Sequence, residues 1–107
     1  MASFERFTSN DVTTASSVHT SDATAGSNAD IIIGCNVANV GASTATVNVY
    51  ITTGGNDVHL VKAHKIPVGS STEIIQGKVI LENGDVLKVS SDIAVDVYVS
   101  TLDSATA

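Results

Sequence analysis

The fold is decided by residues 45–61, which read ATVNVYITTGGNDVHLV. Within residues 47–52, valine and isoleucine alternate with polar residues, and this period of two is typical of an antiparallel strand with one buried face. The pair Gly54-Gly55 then marks a turn, and a second run of apolar residues follows over 58–66. The stretch therefore predicts a β-hairpin.

Upstream of this hairpin, residues 30–39 read DIIIGCNVAN and predict a central strand. Strict alternation places Ile31, Ile33, Cys35 and Val37 on one face and Ile32 and Ala38 on the other. Since both faces carry apolar residues, we expect this strand to be buried on both sides.

Downstream, further strands are predicted over 73–75, 78–81, 86–89 and 95–99. Asn83-Gly84 is typical of a type I′ turn and predicts a hairpin between two of them. The chain has 15 Val and 9 Ile but only 4 Leu, a balance that suits pleated strands better than helices. We predict an all-β domain with about six to eight short strands, either an antiparallel β-sandwich or a jelly-roll or Ig-like barrel.

The first 29 residues differ in composition, because they are polar and contain neither Ile nor Leu. We expect residues 1–29 to be an extended N-terminal arm or weak edge strands, residues 30–103 to be the β-sandwich domain, and residues 104–107 to be a loose tail. Phe4 and Phe7 would either anchor an arm on a partner or cover the domain's own core.

The formal net charge of −6 disfavours nucleic acid and anionic membrane surfaces as partners. The few cations are either solvated strand edges or a locally basic contact surface. The N-terminus has no apolar signal segment, which predicts synthesis in a reducing cytoplasm. The candidate partner-contact residues are Phe4, Arg6, Phe7, Lys62, Lys65, Lys78 and Lys88.

No pattern of residues predicts catalysis, a cofactor or a metal. His59 and His64 are separated by an odd number of residues, so a regular strand places them on opposite faces. Acidic residues such as Asp92, Asp96 and Asp103 match no calcium loop, although a weak calcium site at a turn stays open. The single cysteine, Cys35, excludes an intrachain disulfide and is expected to be buried.

Several segments, taken in order, resemble short structural proteins of marine and freshwater tailed bacteriophages, cyanophages among them. The segments are Asp30–Asn39, Val47–Tyr50, Ile66–Gly69, Gly77–Leu81 and Gly84–Val89. The resemblance covers roughly residues 30–103 and implies a virion component. It supplies no functional residues that can be transferred to this chain.

These observations predict a non-enzymatic virion protein made in the host cytoplasm, with capsid decoration as the first hypothesis. Its partners would be the major capsid protein and further copies of itself. A neck, collar or tail-associated adaptor is the second hypothesis, with neck or tail proteins as partners. A soluble ligand-binding β module, for carbohydrate as one example, is the third.

Overall fold

The computed structural model describes residues 3–13, 16–21, 29–75 and 78–105, most of which are extended. These residues form nine strands and no helix, which confirms the predicted all-β class with more strands than expected. The strands are β1 (Ser3–Val12), β2 (Ser16–Thr20), β3 (Ala29–Asn39), β4 (Ala45–Thr53), β5 (Asn56–Ile66), β6 (Ser71–Glu73), β7 (Val79–Leu81), β8 (Val86–Ser91) and β9 (Val95–Ala105).

Two antiparallel sheets pack against each other as a β-sandwich. The first sheet has the order β1-β9-β3, and both β6 and β7 pair along the remaining side of β3. The second sheet has the order β2-β8-β4-β5. Among the described strands, β4 and β5 alone are neighbours both in sequence and in a sheet. Most pairing is therefore between distant parts of the chain.

The interior lies between the sheets and consists of aliphatic side chains. Val37 and Val99 from the first sheet and Val49 and Leu87 from the second have no exposed surface. The alternation predicted over residues 47–52 is confirmed, because the apolar residues there are buried and the polar ones half-buried. Burial of each such side chain contributes about 1.5–3 kcal/mol to the free energy of unfolding.

The predicted face assignment of β3 is wrong because the strand contains a β-bulge. Ile32 pairs with Thr101 and Gly34 with Ser100, so Ile33 is an extra residue without an opposite partner on β9. The bulge places Ile32 on the inner face together with Cys35. Ile31 is half-buried and Ile33 exposed, so β3 is not buried on both sides as predicted.

The described part of the polar N-terminal segment takes the second predicted form, edge strands. β1 pairs along β9 in the first sheet, and β2 pairs with β8 in the second. At the other end of the chain, Ala105 pairs with Ala29, so residues 104–105 extend β9 where a loose tail was expected. The remainder of these two segments, residues 22–28 and 106–107 included, lies outside the described residues.

The two predicted tight turns have different outcomes. Gly54 and Gly55 both have positive φ, 57° and 85°, as in a type I′ turn, and the predicted hairpin of β4 and β5 is confirmed. At Asn83-Gly84 the predicted hairpin is wrong, since β7 belongs to the first sheet and β8 to the second. There only Gly84 has positive φ, and the Asp85 N–H donates to the Glu82 carbonyl, as in a type II turn.

The buried Asn39 side chain joins the two sheets at the end of β3. Its Nδ2 donates to the carbonyls of Ser43 and Ile66, at 2.8 and 2.9 Å. Its Oδ1 accepts the Gly41 N–H at 2.9 Å. The side chain thus connects the end of β3, the following loop and the end of β5.

Candidate functional site

Four apolar side chains form one row across the outer face of the first sheet. Phe4 on β1 lies opposite Leu102 on β9, Leu102 lies opposite Ile31 on β3, and Ile31 lies opposite Ile80 on β7. Residues directly opposite in antiparallel strands share a face, so the four side chains are neighbours. Phe4 is 78% exposed and Ile80 60% exposed. We call this set the apolar row.

Two more exposed apolar residues widen the surface beside the row. Ile33, which the bulge in β3 turns outward, and Tyr98 on β9 are both exposed. An open depression of about 740 Å³ beside them is lined by Phe4 and Arg6 and also by Ser100 and Thr101, so it is partly polar. Contiguous exposed apolar residues such as those of the row often mark interaction sites in soluble proteins.

The structure brings two of the predicted contact residues to this surface and places a third at its border. Phe4 belongs to the apolar row, and Arg6 shares its face because it lies opposite Ser100, the residue two positions from Leu102. Lys78 immediately precedes β7 and is exposed. A cation therefore stands near each end of the row.

The other predicted contact residues lie elsewhere. Lys62, Lys65 and Lys88 are in the second sheet, where Lys88 is opposite Tyr50 and the Lys65 ammonium donates to Thr46 Oγ1 at 2.7 Å. Phe7 points to the interior, where it packs against the core. The two aromatic residues of β1 thus take different roles, with Phe7 covering the core and Phe4 exposed.

A buried polar cluster that the sequence did not reveal lies under Phe7. His19 Nε2 is 2.9 Å from Asp30 Oδ2 and 4.0 Å from Asp103 Oδ1. The Phe7 ring covers the imidazole with a centroid separation of 4.1 Å. The Thr101 hydroxyl donates to Asp103 Oδ1 at 2.6 Å. We call His19, Asp30 and Asp103 the buried triad.

His19 reaches this position because of a bulge in β2. Ser17 pairs with Lys88 and His19 with Leu87, which leaves Val18 as the extra residue. Val18 and His19 are consequently both buried, although they are adjacent in the strand. Alternation alone would place the two side chains on opposite faces, so it gives no signal for the triad.

The two other histidines are not brought together. His59 lies opposite Tyr50, with their ring centroids 5.0 Å apart, and His64 lies opposite Val47. Tyr50 and Val47 are on opposite faces of β4. The predicted separation of His59 and His64 is therefore confirmed, even though β5 contains bulges between them.

The acidic residues that looked clustered in the sequence are dispersed. Asp92 accepts the Thr46 N–H and Asp96 accepts the Asp11 N–H, while Asp103 faces His19. The first two carboxylates therefore satisfy backbone donors. They do not converge with Asp103 on a shared site.

Cys35 is buried as predicted, beside the carboxylate of Glu73. That carboxylate accepts hydrogen bonds from the backbone N–H groups of Cys35 and Ile75. Glu73 is the last residue of β6. Its carboxylate therefore contacts the β3 backbone just beyond the point where the pairing of β6 with β3 ends. Burial first, and the negative charge of Glu73 second, raises the pKa of the Cys35 thiol to about 12.

We predict that the native Cys35 thiol resists alkylation. At pH 8.5 a pKa of about 12 in place of 9.0 lowers the thiolate fraction by roughly a thousandfold. Iodoacetamide labelling followed by mass spectrometry should therefore be at least that much slower in native than in urea-unfolded protein. Because the folded state holds the thiol proton more tightly than the unfolded state, the free energy of unfolding should fall as pH rises from about 9 toward 12. Equal labelling rates in the two states would contradict the burial of this thiol.

Comparisons of the chain with protein-family models, with curated proteins and with solved structures found no match. Within the described residues, no helix has the length and apolar character needed to cross a membrane.

Proposed function

We propose that this chain is a non-enzymatic structural protein of a tailed-phage virion, and that it decorates the capsid by docking the apolar row onto the major capsid protein. The observation that carries the proposal is the row itself, which extends over four strands with Phe4 and Ile80 exposed at its two ends. The order of motifs over residues 30–103 supports the virion context.

Charge suggests what the docking surface on the partner contains. The chain has a net charge of −6, yet Arg6 shares the face of the row and Lys78 lies next to its β7 end. An apolar patch bordered by carboxylates would complement both features, because opposite charges at the rim guide docking while the apolar centre supplies affinity. We therefore expect an apolar surface with an acidic rim on the capsid protein.

The β-sandwich provides a rigid scaffold for a decoration protein. The exposed residues of the proposed contact surface, including Ile33 at the bulge in β3, lie on strands of the first sheet. The inner face of that sheet packs against the core, which holds these strands in place. Contact residues held by strands lose little conformational freedom on binding. In this proposal several copies surround a symmetry axis of the capsid, each using the same row.

The proposal is tested by immunogold labelling of purified phage particles with an antibody against the folded domain. We expect gold distributed over the heads, with particles from a phage that lacks the gene as the negative control. Gold confined to the neck or tail would replace decoration with the adaptor hypothesis. No labelling of intact particles, despite antibody binding to the isolated protein, would contradict a virion role and favour a soluble ligand-binding module.

A further inference from the structure

We propose that the buried triad is a binding site for a divalent transition metal ion, with zinc as the probe that defines it. The site is separate from the apolar row, since the triad faces the interior of the sandwich. The proposal does not depend on a virion role. It rests on the donor atoms, their separations and their burial.

The donor atoms belong to three different strands and lie within 4.8 Å of one another. His19 comes from β2 in the second sheet, while Asp30 and Asp103 come from β3 and β9 in the first. One imidazole nitrogen and two carboxylate oxygens are a ligand set that zinc accepts in proteins. An ion at this point would join the two sheets.

The separations are close to those of a coordination site. Tetrahedral zinc with bonds of about 2.1 Å places its ligand atoms about 3.4 Å apart. The observed separations from His19 Nε2, 2.9 Å to Asp30 and 4.0 Å to Asp103, lie on either side of that value. Each of these two separations differs from that value by about half an ångström, and the Asp30 and Asp103 oxygens lie within 4.8 Å of each other.

The surroundings also resemble those of a metal site. Thr101 donates to Asp103 Oδ1 and thereby orients the carboxylate, which is the usual role of a hydroxyl next to a metal ligand. Phe7 lies over the imidazole and limits access of water. The bulge at Val18 turns His19 inward, and bulges are frequent where a strand must redirect a functional side chain.

Burial also favours a bound cation, because Asp30 has no exposed surface and the His19 and Asp103 side chains are only 5% and 16% exposed. Buried charge is costly unless it is balanced. A divalent cation held by one imidazole nitrogen and two carboxylate oxygens would balance the charge of the two carboxylates.

The test uses the full chain without an affinity tag, freed of metal by a chelator and then titrated with zinc. We expect about one zinc per chain, as the three ligands define a single site. Zinc at a hundredfold excess over its Kd should raise Tm by roughly 10 °C or more. Calorimetry gives the stoichiometry and affinity, and a thermal melt gives the shift in Tm.

Asp103→Asn is the decisive variant because Asp103 is only half-buried and the change preserves its shape. It should weaken zinc binding by roughly a hundredfold or more and abolish the rise in Tm at the same zinc concentration. His64→Gln is the matched control, since His64 lies on β5 away from the triad, and it should behave as the wild type. Circular dichroism confirms that both variants fold.

Three results would overturn the proposal. The first is a wild-type chain that binds no zinc at micromolar free concentration, which would make the triad a buried ion pair. The second is zinc binding of undiminished affinity in Asp103→Asn, whether or not His64→Gln still binds zinc. The third is a rise in Tm with calcium and none with zinc, which would contradict a transition-metal site.

Discussion

Asn39→Asp should destabilise the protein by about 3–5 kcal/mol, because it replaces a buried donor of two hydrogen bonds by a group that can only accept them. Asn39 Nδ2 donates to the carbonyls of Ser43 and Ile66, and the side chain is 4% exposed. In the variant a carboxylate oxygen would face both carbonyl oxygens at the same distances. That loss is a large share of the 5–15 kcal/mol typical of a domain.

Asn48→Asp provides the matched control for this effect. Asn48 Nδ2 donates to Ser90 Oγ, and its Oδ1 accepts the Ala63 N–H, but the side chain is only half-buried. The Ser90 hydroxyl can rotate and donate to the new carboxylate, so we expect a change below about 1 kcal/mol. Urea unfolding of both variants measures the difference. Equal stability of Asn39→Asp and Asn48→Asp would contradict the role of Asn39 in joining the sheets.

The sequence predicted the parts of the fold that depend on regular alternation and local turns. Residues 47–52 alternate without interruption, and Gly54-Gly55 supplies the two positive φ angles of the turn that follows. Both features are local, because side-chain direction in a strand and the geometry of a two-residue turn are set by neighbouring residues. The β4–β5 hairpin could therefore be predicted before any long-range contact was known.

The period-two pattern assigned residues to the wrong face where a strand contains an extra residue. In β3 the bulge at Ile33 reverses the faces of the residues before it, so Ile31, predicted to lie on the face of Cys35, points the opposite way. Gly34 within an apolar strand was the available signal, since an isolated glycine in a strand often accompanies a bulge. This reversal places the apolar residues Ile31 and Ile33 on the outer face.

The pairing of strands that are distant in sequence was the second feature that the sequence alone did not predict. Asn83-Gly84 is a strong hairpin signal, yet the flanking strands are in different sheets, and this depends on partners far away in sequence. The buried triad has the same origin, because β2, β3 and β9 are adjacent only in the folded chain. Neither the spacing nor the composition around His19 indicates that two aspartates approach it.

Only some of the cations predicted as contact residues lie near the apolar row. Arg6 shares the face of the apolar row, but Lys65 and Lys88 are in the second sheet. The four lysines of the second half of the chain do not all belong to one sheet, because Lys62, Lys65 and Lys88 are in the second sheet whereas Lys78 precedes β7 of the first. The surface that we propose for docking consists of apolar residues, and the predicted contact cations near it are Arg6 and Lys78.

Ile80→Asp should weaken binding to the capsid by at least about a hundredfold. Ile80 ends the apolar row and is 60% exposed, so the substitution leaves the core intact. It would place a carboxylate within the apolar contact and opposite the acidic rim expected on the partner. Truncation of a hot-spot residue costs about 2 kcal/mol or more, and the introduction of a charge into an apolar contact adds desolvation and repulsion.

Val58→Asp is the matched control, because Val58 is an equally accessible apolar residue, 52% exposed, on β5 of the second sheet. Phe4→Ala tests the other end of the row and should also weaken binding, by roughly tenfold to a hundredfold. If Ile80→Asp proves unstable, Phe4→Ala decides alone, since Phe4 is the most exposed of the large apolar residues described.

The measurement that tests the docking claim most directly is co-sedimentation of the purified protein and these variants with phage heads that lack it. The wild type and Val58→Asp should bind saturably and with similar affinity. Ile80→Asp should remain in the supernatant even at a concentration a hundredfold above that at which the wild type binds. Undiminished binding of Ile80→Asp and Phe4→Ala, or an equal loss in Val58→Asp, would contradict docking through the outer face of the first sheet.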